Sequence, residues 1–451
     1  MGQTAGAALA NLLTASKTAP QPPIPAVVAT PWVNIALRYP ETSAGELAAK
    51  NADVSRANLR DSEILRQWWL TEMIDGPAPL RENLVLFFHS VLGGSSRTID
   101  SPHALYGYNA LLRRSVLGTI PDLLEALVLE PAMMMQENYD ESRRELRSEY
   151  AARQILNKWT VGPGQFNDED AEGLARAITG WTLEAAPGQG PTRELDPRGN
   201  RANRRTGLVP TFHADFFDKK PKTILGTTKE FGAKDAVRFL AMKDSTGLRW
   251  ARLMMDYFGV RDDSARLELR LAETYRISVG SVPAMLETLV ASDEFWSADS
   301  RWSLVKSPVQ LAVGACRQME LREAPIAAIS AWLGAAGQKL FESPGFGAQG
   351  WKGQDAWLQP AERLAARYAL GDTLAGDSLP WGLHPGSKTG SSTSALDAVS
   401  HWTVKDVASR LDPAPGLDTK QIEQQLHGVP AARRATEAIR QVLATPEYQV
   451  A

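Results

Sequence analysis

The chain has 451 residues, of which 43% are hydrophobic and 22% charged, a composition typical of a folded protein with a large apolar core. Its formal net charge of −3 argues against a dedicated nucleic-acid binder, because such proteins normally present a strongly basic face. The single cysteine, Cys316, excludes an intrachain disulfide and a cysteine-rich metal cluster, and its apolar neighbours, LAVGACRQM, favour a buried structural thiol.

Residues 1–60 are predicted to form an N-terminal strap with short helices. The first segment, MGQTAGAALANLLTASKTAP, has no Lys or Arg before its weakly apolar centre, which makes a poor signal peptide. The proline-rich connector that follows, APQPPIPAVVATP, favours extended backbone. No run approaches the roughly 18 apolar residues of a membrane span. We therefore expect a cytoplasmic protein, and an exported or envelope protein is the alternative if a signal has been removed.

Residues 61–451 are predicted to form a single helical domain, because apolar residues recur there at helical spacing. The run Leu80–Leu92, LRENLVLFFHSVL, is apolar on most sides and is therefore predicted to be a central helix. The stretch Arg143–Thr182 contains two helical stripes separated by a Gly-Pro-Gly turn, and Asn167 is predicted to cap the second helix. The two stripes consist of Ala152, Ile155, Leu156 and Trp159, and then of Leu174, Ala177, Ile178 and Trp181.

The residue composition changes in the middle of the chain. Residues 185–209 are rich in Gly, Pro and Arg and have no apolar period, which predicts a long loop. The segment that follows, GLVPTFHADFFD, has the Val, Thr and Phe content of a short β-hairpin. The predicted fold is therefore all-α, a large multi-helix body with a small β-hairpin insertion.

Five arginines of the predicted loop are candidates for contact with a phosphate group or another polyanion. A solvated surface loop is the alternative, and we favour it because runs of like charge are normally exposed to solvent. The five residues are Arg193, Arg198, Arg201, Arg204 and Arg205.

The sequence contains none of the familiar catalytic motifs G-x-S-x-G, G-x-x-x-x-G-K-[ST], H-E-x-x-H and C-x-x-C. His213 and Asp215 form H-x-D in the predicted hairpin, where residues i and i+2 face the same side and could share a metal or a proton. A surface pair without that role is the alternative. His89 lies in an apolar helix and is more simply a core histidine. Glu149 and Arg153 have the i, i+4 spacing of a helical salt bridge.

Eight short segments occur in a characteristic order along the chain. They are LRENLVLFFH, GTIPDLLEALVLEPAMM, SEYAARQILNKWTVG, FNDEDAEGLARAITGWT, KTILG, SDEFW followed by KSPVQLAV, QGWKGQDAWL and ATPEYQ. Together they resemble the bacterial family catalogued as domain of unknown function 1800, over most of the chain from about Arg66 onward. The resemblance implies a helical fold, an envelope or extracellular setting for many relatives, and no particular reaction. Because genes of this family often neighbour those of a second family of unknown function, 1501, it also implies a partner protein.

Polar residues of the family's motifs are replaced in this chain. Val91 and Phe217 stand where the family typically has histidines, and Gln154 and Asn157 stand at two acidic positions. The motif residues that remain are His89, Glu149, Arg153 and Asp218. In a typical member such residues could converge as a metal or acid–base site in a helical core.

Two functional hypotheses follow from these patterns. We favour a non-catalytic binding or scaffold component that acts with a partner protein and needs no cofactor, because the apolar framework is kept while polar motif residues are replaced. The alternative is a metal-assisted hydrolase or oxidoreductase, which requires its side chains to lie within a few ångströms of one cavity. Its catalytic candidates are His89, Glu149, Arg153 and Asp218. A divalent metal would take ligands from among His89, Glu149, His213, Asp215 and Asp218.

Overall fold

Helices make up most of the computed structural model, which describes residues 4–29, 44–185, 208–321, 323–343, 351, 353–376 and 395–451. Within these ranges the prediction of an all-α body with a small β insertion is confirmed. The helices before the strands are α1 (Ala5–Thr18), α2 (Ala26–Ala29), α3 (Ala44–Asp75), α4 (Pro79–Leu92), α5 (Pro102–Ser115), α6 (Ile120–Leu127), α7 (Pro131–Gln136), α8 (Glu149–Gln154), a π-helix (Ile155–Trp159) and α9 (Asp168–Ala177).

The remaining elements follow in chain order. The strands are β1 (Trp181–Ala185), β2 (Leu208–Phe212), β3 (Lys222–Ile224) and β4 (Thr227–Lys229). The later helices are α10 (Ala233–Ala241), α11 (Asp244–Tyr257), α12 (Arg266–Ile277), α13 (Val282–Val290), α14 (Asp293–Trp296), α15 (Pro308–Gln318), α16 (Ile326–Ala335), α17 (Ala361–Tyr368), α18 (Leu370–Ala375), α19 (Val404–Leu411), α20 (Thr419–Gln425), α21 (Ala431–Ala444) and α22 (Pro446–Gln449). Two 3₁₀ helices span Gln354–Trp357 and Ala395–Val399.

Helix α4 lies at the centre of the N-terminal half of the fold, as its apolar sequence predicts. Pro79 occupies the first turn, where its missing N–H removes no hydrogen bond, and Gly93 follows the helix at φ 90°. Phe87 and Phe88 are fully buried and contact Trp250 of α11 at ring-centroid distances of 6.0 and 5.2 Å. Burying each phenyl ring contributes about 1.5–3 kcal/mol. Helices α1, α3 and α5 also pack against α4, which therefore connects much of the core.

A buried ionic network ties α3, α4 and α5 together. The Glu82 carboxylate of α4 accepts two hydrogen bonds from the Arg113 guanidinium of α5, at 2.8 and 2.7 Å. It also accepts a bond of 3.1 Å from the Trp69 indole of α3. Glu82 and Arg113 are each only 3% exposed. A carboxylate removed from water in this way needs every one of these donors.

The first half of the Arg143–Thr182 stretch departs from the predicted α-helix. Its four stripe residues are fully buried, as predicted, but the backbone changes from α to π geometry at Ile155. The N–H of Thr160 donates to the Ile155 carbonyl, five residues back, at 3.0 Å. Two tertiary contacts are made from the wider turn: the Trp159 carbonyl accepts from the Trp250 indole at 3.1 Å, and the Lys158 ammonium lies 3.3 Å from the Glu137 carboxylate. The spacing of apolar residues carries no information about either partner.

The second helix of that stretch begins as predicted and ends earlier. Asn167 caps it in a reciprocal capping box with Asp170. The helix ends at Ala177, and Trp181, which the sequence assigns to the helical stripe, begins β1 instead. Gly180 adopts φ 88° between the two elements, a conformation that an α-helix cannot continue through.

The strand pairing also corrects the predicted hairpin. The segment GLVPTFHADFFD contributes the single strand β2, which pairs antiparallel with β1 across residues 186–207. Trp181 faces Phe212 in this register, with ring centroids 5.2 Å apart, so an aromatic cross-strand pair fixes the ladder. A second ribbon, β3 with β4, closes through Leu225 and Gly226, both at positive φ, which is the conformation of a two-residue hairpin turn.

The N-terminal segments are packed onto the helical body. Helix α1 packs against α4 and α13, and α3 runs without interruption through position 60, where the sequence places a boundary. Leu65, Trp69 and Met73 of α3 are buried. None of the helices in the described ranges is long and apolar enough to cross a lipid bilayer.

Candidate functional site

A cavity of about 450 Å³ opens between α4, α11, the start of α15 and the residues Trp351, Gly353 and Trp357. This volume falls in the range of about 300–1,000 Å³ that small-ligand sites occupy. Its apolar lining comprises Phe87, Val91, Leu253, Tyr257, Val260, Leu304, Val305, Trp351 and Trp357. Its polar lining comprises Ser90, Arg249, Asp256, Arg261, Ser307, Gln310 and Gln338.

Two tryptophans form an aromatic part of the wall. Trp351 is 9% exposed and Trp357 is 5% exposed, so most of each indole is covered by protein. Phe87 of the central helix adds a third ring to the cavity lining. Rigid aromatic walls of this kind favour a ligand with a flat or aliphatic body.

Arg249 is the half-buried cation of the cavity. Its Nε and Nη2 atoms donate to the Lys158 carbonyl at 3.2 and 3.1 Å. That carbonyl belongs to the π-helix, so the unusual backbone holds the guanidinium in place. Burial lowers the pKa of Arg249, and within the described chain no carboxylate lies within salt-bridge distance of it. The cavity wall therefore carries a partly desolvated positive charge without a counter-ion.

The other two charged residues of the cavity offset each other. Asp256 and Arg261 are both exposed, which places them at the solvent side of the lining. The pKa of Asp256 is raised by desolvation of its carboxylate, and the nearby Arg261 guanidinium opposes part of that rise. Because this pair sums to zero charge, Arg249 leaves the lining with one net positive charge.

The start of α15 contributes neutral polar groups whose acceptor atoms are already used. The Ser307 hydroxyl accepts from the Gln310 N–H at 3.2 Å, and the Gln310 side-chain oxygen accepts from the Ser307 N–H at 2.9 Å. The Gln338 side-chain oxygen accepts from the Val309 N–H at 2.9 Å. Each glutamine therefore keeps its NH₂ group as an uncommitted donor at the cavity, and Gln338 is only 3% exposed.

His89, a candidate from the sequence, stands next to this cavity without lining it. Its imidazole stacks on Trp351 with ring centroids 5.4 Å apart and 13° between the planes. Three further rings surround it: Trp69, Tyr108 and Phe341. In the described chain neither ring nitrogen has a hydrogen-bond partner, and full burial lowers the pKa of His89 to about 3. His89 is thus a neutral imidazole that supports the cavity wall.

His89→Leu is expected to reduce the loss of folding stability that the protein shows as the pH is lowered. The folded pKa lies near 3 and that of an unfolded histidine near 6.5, so between these values the unfolded state binds more protons, and the free energy of unfolding decreases as the pH is lowered. The slope is about 1.4 kcal/mol per pH unit, which makes roughly 2 kcal/mol between pH 7.5 and pH 5. Urea unfolding of both proteins at the two pH values measures it. The exposed His427→Leu is the control, and an equal acid loss in wild type and His89→Leu would contradict the assignment.

Glu149 and Arg153, two further candidates, lie on the surface of α8. The predicted i, i+4 salt bridge is confirmed, with Arg153 Nη2 at 3.9 Å from the Glu149 carboxylate. The same guanidinium nitrogen lies 2.7 Å from Asp168, at the start of α9. These contacts link two consecutive helices.

Asp218 forms a separate ion pair beside β3. Its two carboxylate oxygens accept from Nε and Nη2 of Arg176 at 2.8 and 3.1 Å. This pairing lowers the pKa of Asp218 to about 2. The bonded partners of Asp218 and the aromatic neighbours of His89 have no residue in common.

The H-x-D pair adopts a different arrangement from the one expected on a strand. Strand β2 ends at Phe212, and His213 opens a turn in which its carbonyl accepts from the Phe216 N–H. The His213 ring lies 2.7 Å from Glu184 of β1, and Asp215 is exposed. Within the described ranges no group of three or more His, Cys, Asp or Glu side chains is arranged to hold a metal ion.

The five loop arginines, Arg193, Arg198, Arg201, Arg204 and Arg205, lie outside the described residues. Cys316 is buried, as its apolar neighbours predict, and burial raises its pKa to about 12.

The residues that give the cavity its polar character are absent from the sequence candidates. Arg249 stands in an ordinary amphipathic helix, and nothing local sets it apart. A usable signal exists for Ser307 and Gln310, because S-x-x-Q before an apolar run marks a capping box. Trp351 and Trp357 both fall in one of the segments that carry the family resemblance, QGWKGQDAWL.

A family model with the description "Protein of unknown function (DUF1800)" matches residues 1–450. No curated protein and no solved structure matches the chain. The family match extends over the N-terminal strap as well as the helical body.

Proposed function

The chain belongs to the family described as protein of unknown function (DUF1800), and we propose that this member is a non-catalytic binding component that acts with a partner protein. The observation that carries the proposal is the cavity of about 450 Å³ beside the central helix. Three of the segments on which the resemblance rests supply its lining, through Phe87, Ser307 with Gln310, and Trp351 with Trp357. Segments far apart in sequence thus meet at one place that can hold a ligand.

The chemistry of the lining favours binding over catalysis. Among the described lining residues there is one carboxylate, Asp256, and there is no histidine or cysteine. General acid–base catalysis normally needs two groups that exchange protons near neutral pH. The polar residues kept from the family's motifs are engaged elsewhere: Asp218 with Arg176, and Glu149 with Arg153. Indole, amide and guanidinium groups are the usual components of a recognition pocket.

The size of the cavity suits an anchor group of the partner. Most of the free energy of a protein interface comes from a few side chains that fill pockets on the other protein. A cavity of this volume takes one such group and leaves the surrounding surface to complete the contact. By resemblance, a protein of the second family of unknown function, 1501, is the first partner to test.

Leu253→Trp is expected to abolish capture of the partner, because the larger side chain fills the cavity from α11. Leu269→Trp makes the same change at a position of α12 that is 61% exposed, outside the cavity lining, and should leave capture intact. The measurement is affinity purification from the native host with wild type and both variants, followed by binding assays with the purified partner. We expect at least about a tenfold difference in Kd between the two variants.

Elemental analysis of the same samples tests the alternative of a metal-dependent enzyme. The binding proposal expects no transition metal at one per chain. A stoichiometric metal, or partner binding that is equally strong in Leu253→Trp and Leu269→Trp, would overturn the proposed function.

A further inference from the structure

We infer that the cavity recognises an organic monoanion, a carboxylate joined to an aromatic or aliphatic body, and that Arg249, Gln310 and Gln338 hold the carboxylate. This inference rests on the proposed function, since it names the group that the cavity binds. Three independent properties of the lining carry it: its charge, its supply of donors and its apolar walls.

The charge of the lining calls for a negative group. Arg249 has its guanidinium bound only to a backbone carbonyl within the described chain, while Arg261 has Asp256 nearby. A half-buried cation without a counter-ion is costly, because the protein provides little of the solvation that water would give. A ligand carboxylate would supply the missing charge and can accept two guanidinium hydrogen bonds at once.

The neutral groups of the lining are arranged as donors. The oxygens of Gln310 and Gln338 are occupied by backbone N–H groups, so the amide nitrogens are what remains. Gln338 is nearly fully buried as a residue, and no hydrogen bond from its NH₂ group to protein is found within the described residues. An incoming carboxylate oxygen would give this NH₂ group an acceptor.

The direction of α15 adds to the same preference. Its N-cap Ser307 and Gln310 in its first turn line the cavity, so the positive end of an 11-residue helix lies at this region. A negative charge near a helix N-terminus is stabilised by the helix dipole and by the free backbone N–H groups of the first turn. A cationic ligand would be repelled both by this end and by Arg249.

The apolar walls define the rest of the ligand. Trp351, Trp357 and Phe87 present rings to the cavity, and Leu253 adds an aliphatic side chain. A free inorganic anion would leave these walls uncovered, whereas a phenyl or short alkyl group would bury them. The ligand class is therefore an amphipathic carboxylate rather than phosphate or sulfate alone.

Calorimetric titration of the full chain with 4-phenylbutyrate and with its neutral amide, 4-phenylbutyramide, tests the inference. The two compounds share the phenyl body and differ in charge. We expect the carboxylate to bind at least about tenfold more tightly than the amide. Equal affinities would overturn the carboxylate assignment while leaving a binding cavity in place. If neither compound binds at millimolar concentration, the carboxylate assignment is also overturned. The proposed function is tested independently, by partner capture with Leu253→Trp and Leu269→Trp.

Gln310→Glu supplies a variant that keeps the fold. The new carboxylate still accepts from the Ser307 N–H, so the capping box is preserved, but the donor is lost and a negative charge is added. We expect binding of 4-phenylbutyrate to weaken at least about tenfold and binding of the amide to change little. The exposed Gln424→Glu carries the same charge change away from the cavity and should bind like wild type. Unchanged affinity in Gln310→Glu would contradict the placement of the carboxylate at α15.

The carboxylate has two sources, a side chain or chain end of the partner protein and a free small molecule. Adding 4-phenylbutyrate to the captured complex distinguishes them. Displacement of the partner assigns the carboxylate to the partner protein. Retention of the partner, with 4-phenylbutyrate still bound, assigns it to a free ligand, and either result supports the shared chemistry.

Discussion

Arg113→Met is expected to lower the free energy of unfolding by about 3–5 kcal/mol, the largest loss that we predict for a single side chain. The substitution leaves the Glu82 carboxylate buried without either of its guanidinium hydrogen bonds. Among the described residues, the Trp69 indole, at 3.1 Å, and the more distant Arg81, at 3.7 Å, are the donors that remain near the negative charge. Because α3, α4 and α5 meet at this carboxylate, its exposure would loosen the centre of the N-terminal half. Denaturant unfolding followed by far-ultraviolet circular dichroism measures the loss.

The neighbouring Arg114 provides a matched control. It is exposed, so Arg114→Met should change stability by no more than about 0.5 kcal/mol. A double variant, Arg113→Met with Glu82→Leu, should recover part of the loss, since it removes the stranded charge as well. If Arg113→Met costs no more than Arg114→Met, the network is not a major source of stability.

Gly173→Ala is expected to destabilise the contact between α9 and β3 by about 3 kcal/mol. A Cβ at position 173 would lie 2.1 Å from the backbone oxygen of Thr223 and 3.1 Å from the side chain of Ile224. Backbone atoms cannot move aside as a flexible side chain does, so the helix and the ribbon would have to separate. Thermal unfolding, together with amide hydrogen exchange of β3 and β4, measures the effect.

Gly6→Ala makes the same substitution in helix α1, where no atom of another described element lies within 4 Å of the new methyl group. It should be neutral or slightly stabilising, because alanine has the higher helix propensity. If Gly173→Ala changes stability as little as Gly6→Ala does, the ribbon of β3 and β4 moves away from α9 at little energetic cost, and the prediction is wrong.

The sequence predicts those parts of the fold that depend on local patterns. The apolar run of α4 identifies a central helix because a helix that is apolar on most sides must be buried. Asn167 identifies the start of α9 because its side chain satisfies a backbone N–H three residues on, at Asp170. Cys316 is buried for a similar local reason.

The remaining features depend on residues that are distant in sequence. The partner of β2 is β1, more than twenty residues earlier, so the content of the β2 segment alone suggests a self-contained hairpin. Arg249 is held by the Lys158 carbonyl and lines the same cavity as Gln338, and no sequence periodicity relates these three positions. The resemblance brings Trp351 and Trp357 to notice but gives no reason for their proximity to α4.

The π-helix Ile155–Trp159 bears on how the length of this segment can vary among relatives. A bond that reaches back five residues accommodates one residue more than an α-helix of equal span. Deleting one residue there, such as Asn157, would restore α geometry while the flanking parts keep their relative orientation. The wider turn from which the Lys158 carbonyl reaches Arg249 would then be lost. The extra residue and the arginine at position 249 are therefore expected to be gained or lost together during divergence, as one inherited unit.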